Sequence, residues 1–320
     1  MNETTAVILA AGKSTRMNSA TPKVLHEIFG RPMIEYVLDA ARDAGAARML
    51  VVIGHEGERV KQTLSKHSDV EFVWQHDPQG TGHAVMVCED QLKNVGGSTL
   101  ILAGDTPLLR GESLRELLTE REKHNATCVV GSSMTENNFG LGRIVRDAAG
   151  EFVKIVEQKD ATSEEQAITE INTGCYAFDT EALIESLHKI DKSNKQGELY
   201  LTDAPAVMLR EGRTVKALAS LSILEAMGVN TRVQLAEVRR TIQREHLQKL
   251  MQSGVGILDP DQVDIDPRAT IGMDTVIHPF TVIRGAAKIG ANCQIGPHTL
   301  IEAVTISDGD SVAPFEHRTV

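Results

Sequence analysis

Short apolar runs alternate with helical patterns over the first two thirds of the chain. The runs AVILA, MLVVIG, EFVWQ and STLILAGD have the length of buried strands. Between them, helical spacing of apolar residues occurs from Met33 to Ala44 and again around residues 83–86. Strands that alternate with helices are typical of a parallel sheet covered by helices. The pattern therefore predicts an α/β domain.

The later part of this region has shorter strand patterns in quick succession. They are CVVGSSM, GRIVRD, EFVKIVEQ and TGCYAFD. Closely spaced strands favour antiparallel pairing, here as an extension that forms a pocket wall. We therefore predict a Rossmann-like mixed sheet for residues 1–228. Ligands of such sheets bind outside the carboxyl ends of the parallel strands.

The pattern changes after residue 228. Residues 229–252 are rich in helix formers with spaced apolar positions, which predicts one long linker helix. Beyond Gly254, isoleucine recurs at every sixth position, at Ile265, Ile271, Ile277, Ile283, Ile289, Ile295 and Ile301. This period is typical of a parallel β-helix whose isoleucines stack inside a triangular prism. At three hexapeptides per turn, residues 253–320 would make about two to three coils.

The charge of the chain limits the class of partner. It has 33 basic and 44 acidic residues and a formal net charge of -11. A broad basic face for nucleic acid cannot be assembled against that background, so we predict no nucleic-acid partner. Basic residues gather locally at Lys13, Arg16, Lys23 and Arg31, which favours a small anionic ligand there. A merely solvated basic face is the alternative.

Cysteines and apolar segments bear on the location of the protein. The four cysteines are scattered and form no Cys-x-x-Cys pair, so neither a disulfide framework nor a structural metal site is predicted. The apolar run that begins at Ala6 is too short for a signal peptide core or a membrane span. We expect a cytoplasmic protein without a membrane partner.

The segment AVILAAGKSTRM, residues 6–17, joins a strand to a turn suited to phosphate. Its Ala-Ala-Gly turn lets backbone N–H groups approach an anion closely, and Lys13 and Arg16 add two cations. A Walker A loop would need glycine where Val7 stands, and a dinucleotide fingerprint would need glycine in place of Ser14. An ordinary strand and tight turn remains the alternative on these residues alone.

A further cation, Lys23 in the segment TPKVL, follows a proline that stiffens the loop. Its ammonium group could therefore be held in a fixed place for a phosphoryl group in transit. Taken alone, it could equally be a surface lysine after a turn. Combined with the earlier segment LAAGKSTRM, it resembles the sugar-nucleotidyltransferase family.

Further motifs carry this resemblance along nearly the whole chain. In order, they are QGTGHAV, LAGDTPLL, GLGRIVRD, IVEQKDAT, EINTGCY, GELYLTD and GVNTRVQL, followed by the long helix and the hexapeptides. They resemble the bacterial N-acetylglucosamine-1-phosphate uridyltransferases. The resemblance implies that the β-helix is left-handed and assembles a homotrimer.

The resemblance also implies roles for individual residues. Four residues of the first turn would wrap the nucleotide: Leu9, Ala10, Ala11 and Gly12. Three would read the uracil: Gln75, Gly80 and Thr81. Ala103 and Gly104 would line the ribose and phosphates, and Gly142, Glu157 and Asn172 would hold the sugar. Asp105 and Asn230 would bind Mg²⁺, a hard cation that prefers oxygen ligands.

The implied reaction is in-line attack of N-acetylglucosamine 1-phosphate on the α-phosphorus of UTP, which releases pyrophosphate. Lys13 and Arg16 would bind the leaving pyrophosphate and Lys23 the charge at the transferring phosphate. The family also carries an acetyltransferase site on a longer β-helix. Its specific segments would begin where this sequence ends, so we expect no acetyltransferase activity.

Two alternatives remain open on the sequence. One is a uridylyl- or thymidylyltransferase for another sugar 1-phosphate, which the pocket around Gly142, Glu157 and Asn172 would decide. The other is a non-catalytic sugar-nucleotide sensor, because folds of this kind also serve regulation.

Overall fold

A computed structural model describes residues 3–13 and 15–319, apart from the side chain of Thr15. The chain forms two compact units. The first extends to His26 and then from Pro32 to Asn230, and the second joins Glu27–Arg31 to the segment that begins at Thr231. No helix within the described ranges is both long and apolar enough to cross a bilayer.

Strands and helices alternate between residues 31 and 134, whereas strands follow one another directly between residues 128 and 156. The strands are β1 (Thr4–Leu9), β2 (Glu27–Ile28), β3 (Arg31–Pro32), β4 (Ala46–Ile53), β5 (Val70–Trp74), β6 (Ser98–Ala103), β7 (Cys128–Met134), β8 (Arg143–Arg146), β9 (Phe152–Val156), β10 (Glu170–Asp179) and β11 (Val215–Leu218). The α-helices are α1 (Met33–Asp43), α2 (Gly57–Leu64), α3 (Thr81–Met86), α4 (Glu89–Leu92), α5 (Gly111–Lys123), α6 (Ser163–Gln166), α7 (Thr180–Leu187) and α8 (Ala204–Arg210). Single 3-10 turns lie at Thr15–Met17, Lys23–Leu25 and Leu201–Asp203.

A mixed sheet is the frame of the first unit. Its order is β11-β7-β10-β6-β1-β4-β5, and β8 joins β10 to β9. Strands β6, β1, β4 and β5 are parallel, whereas β10 runs antiparallel to both β6 and β7. Strands β8 and β9 are also antiparallel. The prediction of a parallel sheet with an antiparallel extension is confirmed.

Apolar residues on both faces of this sheet explain why its central strands are buried. In β1, Ala6 and Ile8 face one apolar cluster and Val7 faces the other. All three are fully buried, and burial of a large apolar side chain stabilises a fold by about 1.5–3 kcal/mol. The four cysteines are free thiols buried in these clusters or in the second unit.

The parallel strands end along one edge of the sheet. Leu9 is paired with Val52 on one side and Ala103 on the other. The turns that follow are tied together, because Ala10 N donates to Val52 O at 2.9 Å and Gly104 N donates to Leu9 O at 3.0 Å. This edge therefore gathers the segments after β1, β4, β5 and β6.

The second unit begins with the linker helix, α9 (Arg232–Gln252). It starts three residues later than predicted because Thr231 forms a capping box with Gln234, in which each side chain bonds the other residue's backbone N–H. Of the spaced apolar residues, Val238, Leu247 and Leu250 are buried, whereas Val233 is 68% exposed. The helix ends before Gly254.

Parallel strands of two or three residues complete this unit as a β-helix. They are β12 (Gly256–Ile257), β13 (Asp264–Ile265), β14 (Thr270–Ile271), β15 (Val276–Ile277), β16 (Val282–Arg284), β17 (Lys288–Ile289), β18 (Gln294–Ile295), β19 (Leu300–Glu302), β20 (Thr305–Ile306), β21 (Ser311–Val312) and β22 (His317–Thr319). They form three parallel sheets, one for each side of the prism.

Isoleucines from successive coils are paired, as the period of six predicts. Ile277 is paired with Ile295 and Ile283 with Ile301, eighteen residues apart, which is one coil. The described strands make three coils and two strands of a fourth. This exceeds the prediction because Ile306 and Val312 continue the buried stack after the spacing of six is broken.

Candidate active site

A cavity of about 970 Å³ lies at the carboxyl edge of the parallel strands. Most of the residues predicted to bind nucleotide line it: Leu9, Ala10, Ala11, Gly12, Lys13, Lys23, Gln75, Gly80, Thr81 and Asp105. They come from three connections of the sheet, those that follow β1, β5 and β6. The parallel register places these connections side by side, as expected for an α/β sheet.

The first turn leaves open space beside its glycine. A Cβ atom added to Gly12 would meet no protein atom within 4 Å, although Gly12 lines the cavity. Folding therefore does not require glycine at this position. A ligand that approaches the backbone would require it, which supports the predicted contact with a nucleotide.

The turn after β5 is fixed by the segment around Leu199. Gly80 has a φ of +115°, and a Cβ atom there would lie 2.4 Å from Leu199 O, so only glycine fits. Leu199 N donates to Gln79 O at 2.7 Å, and Thr81 Oγ1 accepts from Leu201 N at 3.0 Å. Gln75, just before this turn, is only 4% exposed.

Lys23 is placed by a short rigid segment. It opens the 3-10 turn that follows Pro22, and the next two residues, Val24 and Leu25, are buried. Leu25 N donates to Pro22 O at 2.9 Å. The Lys23 side chain is 19% exposed, so its ammonium group has few alternative positions.

The ammonium of Lys23 joins two predicted metal ligands. It donates to Asp105 Oδ2 in a short ion pair and to Asn230 Oδ1 at 3.0 Å. Arg16 Nη2 donates to the same Asn230 oxygen at 2.9 Å. The backbone brings the ligands together, because Val229 N donates to Asp105 O at 2.8 Å. Two oxygen atoms thus converge on one cationic group, a donor set that fits Mg²⁺.

Ala103 and Gly104 lie at the end of β6, next to this cluster. Gly104 is close to the first turn, since a Cβ atom there would lie 3.0 Å from Leu9 O and 3.5 Å from the Ala10 Cβ. Neither residue lines the 970 Å³ cavity. The structure therefore places them beside the predicted phosphate region, where they support the turn.

The three residues predicted for the sugar are not gathered in that cavity. Gly142 O accepts from Asn172 N at 2.9 Å, which makes these two neighbours. Glu157 lines a second cavity of about 310 Å³ and accepts a 3.2 Å hydrogen bond from Thr202. Burial raises the pKa of the Glu157 carboxyl. Asn172 Nδ2 donates to the hydroxyl of Tyr176 at 2.7 Å.

A buried guanidinium group supports the loop that contains Gly142. Arg143 is 1% exposed, and its Nη2 donates to Gln158 Oε1 at 2.7 Å. The same oxygen accepts from Gly140 N at 3.0 Å. Desolvation lowers the pKa of Arg143. Residues 140–143 are thus tied by one amide oxygen to the segment that follows β9.

Sequence reasoning missed several residues of the large cavity. They include Ser19, Thr21, His55, Glu56, Arg59 and Glu198. Glu198 lies in the motif GELYLTD, which identified this segment but did not indicate that the Glu198 side chain lines the cavity. The others follow the first and second parallel strands, and only the folded edge brings them together.

Comparisons with known proteins agree with this architecture. Residues 6–197 match the MobA-like NTP transferase domain, and residues 268–303 match the bacterial transferase hexapeptide of six repeats. The chain is 44% identical to the bifunctional protein GlmU of Heliobacterium modesticaldum over 94% of its own length and 65% of that protein. The chain belongs to the GlmU family of MobA-like NTP transferases.

Other GlmU proteins match over a similar extent. Identity is 44% with the bifunctional protein GlmU of Pelobacter propionicus and 40% with that of Enterococcus faecalis. These matches cover 96% and 98% of the chain but 67% and 71% of the two relatives. The chain thus spans about two thirds of the length of the curated GlmU proteins it matches.

Proposed function

We propose that the protein is a uridylyltransferase that converts UTP and N-acetylglucosamine 1-phosphate into UDP-N-acetylglucosamine and pyrophosphate. One observation carries the proposal: a single cavity holds the Ala-Ala-Gly turn, the Gln75 amide and the Lys23–Asp105 pair. A nucleoside triphosphate needs a base contact, backbone N–H groups and cations in one place. The GlmU relatives support the same assignment.

In the proposed reaction, an oxygen of the sugar phosphate attacks the α-phosphorus of UTP. The new phosphorus–oxygen bond forms as the bond to the β-phosphate oxygen breaks, and pyrophosphate leaves. A sugar phosphate is already an anion near neutral pH, so no side-chain base is needed. The contribution of the protein is positioning and charge stabilisation.

The cations of the site must change partners during this cycle. Lys23 and Arg16 are bonded to Asp105 and Asn230 in the structure. Phosphate oxygens are strong competitors for ammonium and guanidinium groups. We assign Lys23 to the transferring phosphate, and Arg16 with Lys13 to the pyrophosphate.

The same exchange frees the oxygens of Asp105 and Asn230 for Mg²⁺. Asp105 and Asn230 would hold Mg²⁺ there, and the ion would supply positive charge that neutralises the phosphates. Both ligands are held before substrate arrives, Asp105 at the end of β6 and Asn230 through the backbone bond of Val229. Glu157, Asn172 and Gly142 are our candidates for holding the sugar.

Acceptor specificity tests the proposal directly. We expect Mg²⁺-dependent release of pyrophosphate from UTP, faster with N-acetylglucosamine 1-phosphate than with glucosamine 1-phosphate or glucose 1-phosphate. A preference for glucose 1-phosphate would move the protein to the other sugar nucleotidyltransferases. Absence of release with all three acceptors, from folded protein that binds UTP, would favour a sensor.

The proposal includes a cytoplasmic homotrimer assembled through the β-helix. The rings of Phe280, His298 and Phe315 stack in successive coils, with centroids 4.6 Å and 5.0 Å apart. Phe280 is 51% exposed and Phe315 is 74% exposed. Exposed apolar columns of this kind favour contact between subunits. Light scattering should give a trimer, and a monomer would remove this part of the proposal.

A further inference from the structure

The orientation of one buried amide determines what the cavity offers to a base. Gln75 lines the cavity and is 4% exposed. Its Nε2 is 3.4 Å from Gly80 O and 3.0 Å from His83 Nδ1. A carbonyl oxygen only accepts hydrogen bonds, so the Gln75 atom that faces Gly80 must be the NH2 group.

This orientation also fixes the state of His83. Because Nε2 of Gln75 carries both amide hydrogens, the Nδ1 atom that faces it must accept. His83 is therefore the neutral tautomer with its hydrogen on Nε2. Both hydrogens of the Gln75 amide then have partners, one at Gly80 and one at His83.

Only the oxygen of the Gln75 side chain remains for a ligand. Oε1 accepts no hydrogen bond from the residues that the structure describes. Oε1 is not fully buried, and Gln75 lines the cavity, so this oxygen can accept a donor from the bound molecule. Uracil in a nucleotide has a single N–H donor, at N3, whereas cytosine has a lone pair at that position and carries its donors on the neighbouring N4 amine.

We propose that His83 is a positioning residue for base selection, which holds the Gln75 amide with its oxygen toward the cavity and thereby favours UTP over CTP. The inference rests on the proposed function, which supplies UTP as the nucleotide. His83 does not line the cavity and acts only through Gln75.

The position of His83 is itself well determined. It lies in α3, whose start is tied down because Gly82 N donates to Leu199 O at 2.8 Å. A Cβ atom at Gly82 would lie 2.4 Å from the Ile190 side chain, so this turn packs closely. The imidazole is therefore carried by a fixed piece of backbone, as a positioning role requires.

The test compares nucleotide binding by calorimetry in His83→Leu and His83→Asn, with Mg²⁺ present. In His83→Leu the Gln75 amide loses one acceptor and can rotate so that its oxygen and nitrogen exchange places. The preference for UTP over CTP should therefore fall by about three- to tenfold. In His83→Asn the side-chain oxygen can take the place of Nδ1 and accept from Gln75, so most of the preference should return.

If His83 had a purely structural role, its replacement would weaken the binding of UTP and the binding of CTP in the same proportion. An unchanged ratio in folded His83→Leu would therefore overturn the inference while leaving the proposed function intact. Wild-type protein that binds CTP as tightly as UTP would contradict the proposed function itself. If circular dichroism shows His83→Leu to be unfolded, His83→Ala takes its place in the same comparison.

Discussion

Lys23→Ala should lower turnover on the order of several hundredfold, the effect of removing one preorganised charge partner of a phosphoryl group. The ammonium is already in place, held by Pro22 and the buried Val24–Leu25 pair and directed at Asp105 and Asn230. Alanine leaves that backbone unchanged but removes the charge. Steady-state rates of pyrophosphate release would measure the effect.

A matched control separates this effect from a general loss of charge. Lys123→Ala removes an equivalent cation from the end of α5, where the lysine side chain is 66% exposed, and should keep normal turnover. Lys23→Arg keeps the charge but replaces a compact ammonium with a planar guanidinium group, so it should retain only part of the wild-type turnover. Near-normal turnover in folded Lys23→Ala would exclude Lys23 from the proposed role.

Much of the fold could be predicted because its signals are local and repeated. Strand β1 contains the continuous apolar run of residues 6–9, and burial on both faces of a parallel sheet favours that pattern. The isoleucine period of the β-helix follows from eighteen residues per coil. The start of α9 was less predictable, because the capping box at Thr231 sets the first turn, whereas the predicted segment begins at Val229.

The site was predictable only in part, because motifs identify segments and the fold decides which side chains meet. The contact of Lys23 with Asp105 joins residues 82 positions apart, and Asn230 lies further still along the chain. The motifs named all three residues, yet nothing in the spacing shows that the cations bond the predicted metal ligands directly. The bond between Gln75 and His83 likewise depends on how β5 and α3 are packed.

Asp105→Ala should lower turnover by about a thousandfold, or about 4 kcal/mol, because it removes the only carboxylate of the proposed Mg²⁺ pair. The sign of its effect on binding depends on the metal. Without Mg²⁺ the carboxylate repels the phosphates of UTP, so the variant should bind UTP at least as tightly as wild type. When Mg²⁺ is added, the affinity of the wild type for UTP should rise, whereas that of the variant should rise only a little. Calorimetry in EDTA and in Mg²⁺ would separate the two states.

Controls for Asp105 follow from its contacts. Asp105→Asn keeps an oxygen at the same place, so it should retain a low rate of turnover and require a higher Mg²⁺ concentration to reach it. Asp90→Ala removes an acid whose side chain is 89% exposed and should change neither the rate nor the Mg²⁺ requirement. Because Lys23 and Asp105 are in contact, their alanine variants should be strongly non-additive when combined. Full additivity would mean that the pair does not act as a unit. Normal enhancement of UTP binding by Mg²⁺ in Asp105→Ala would show that the metal is held elsewhere.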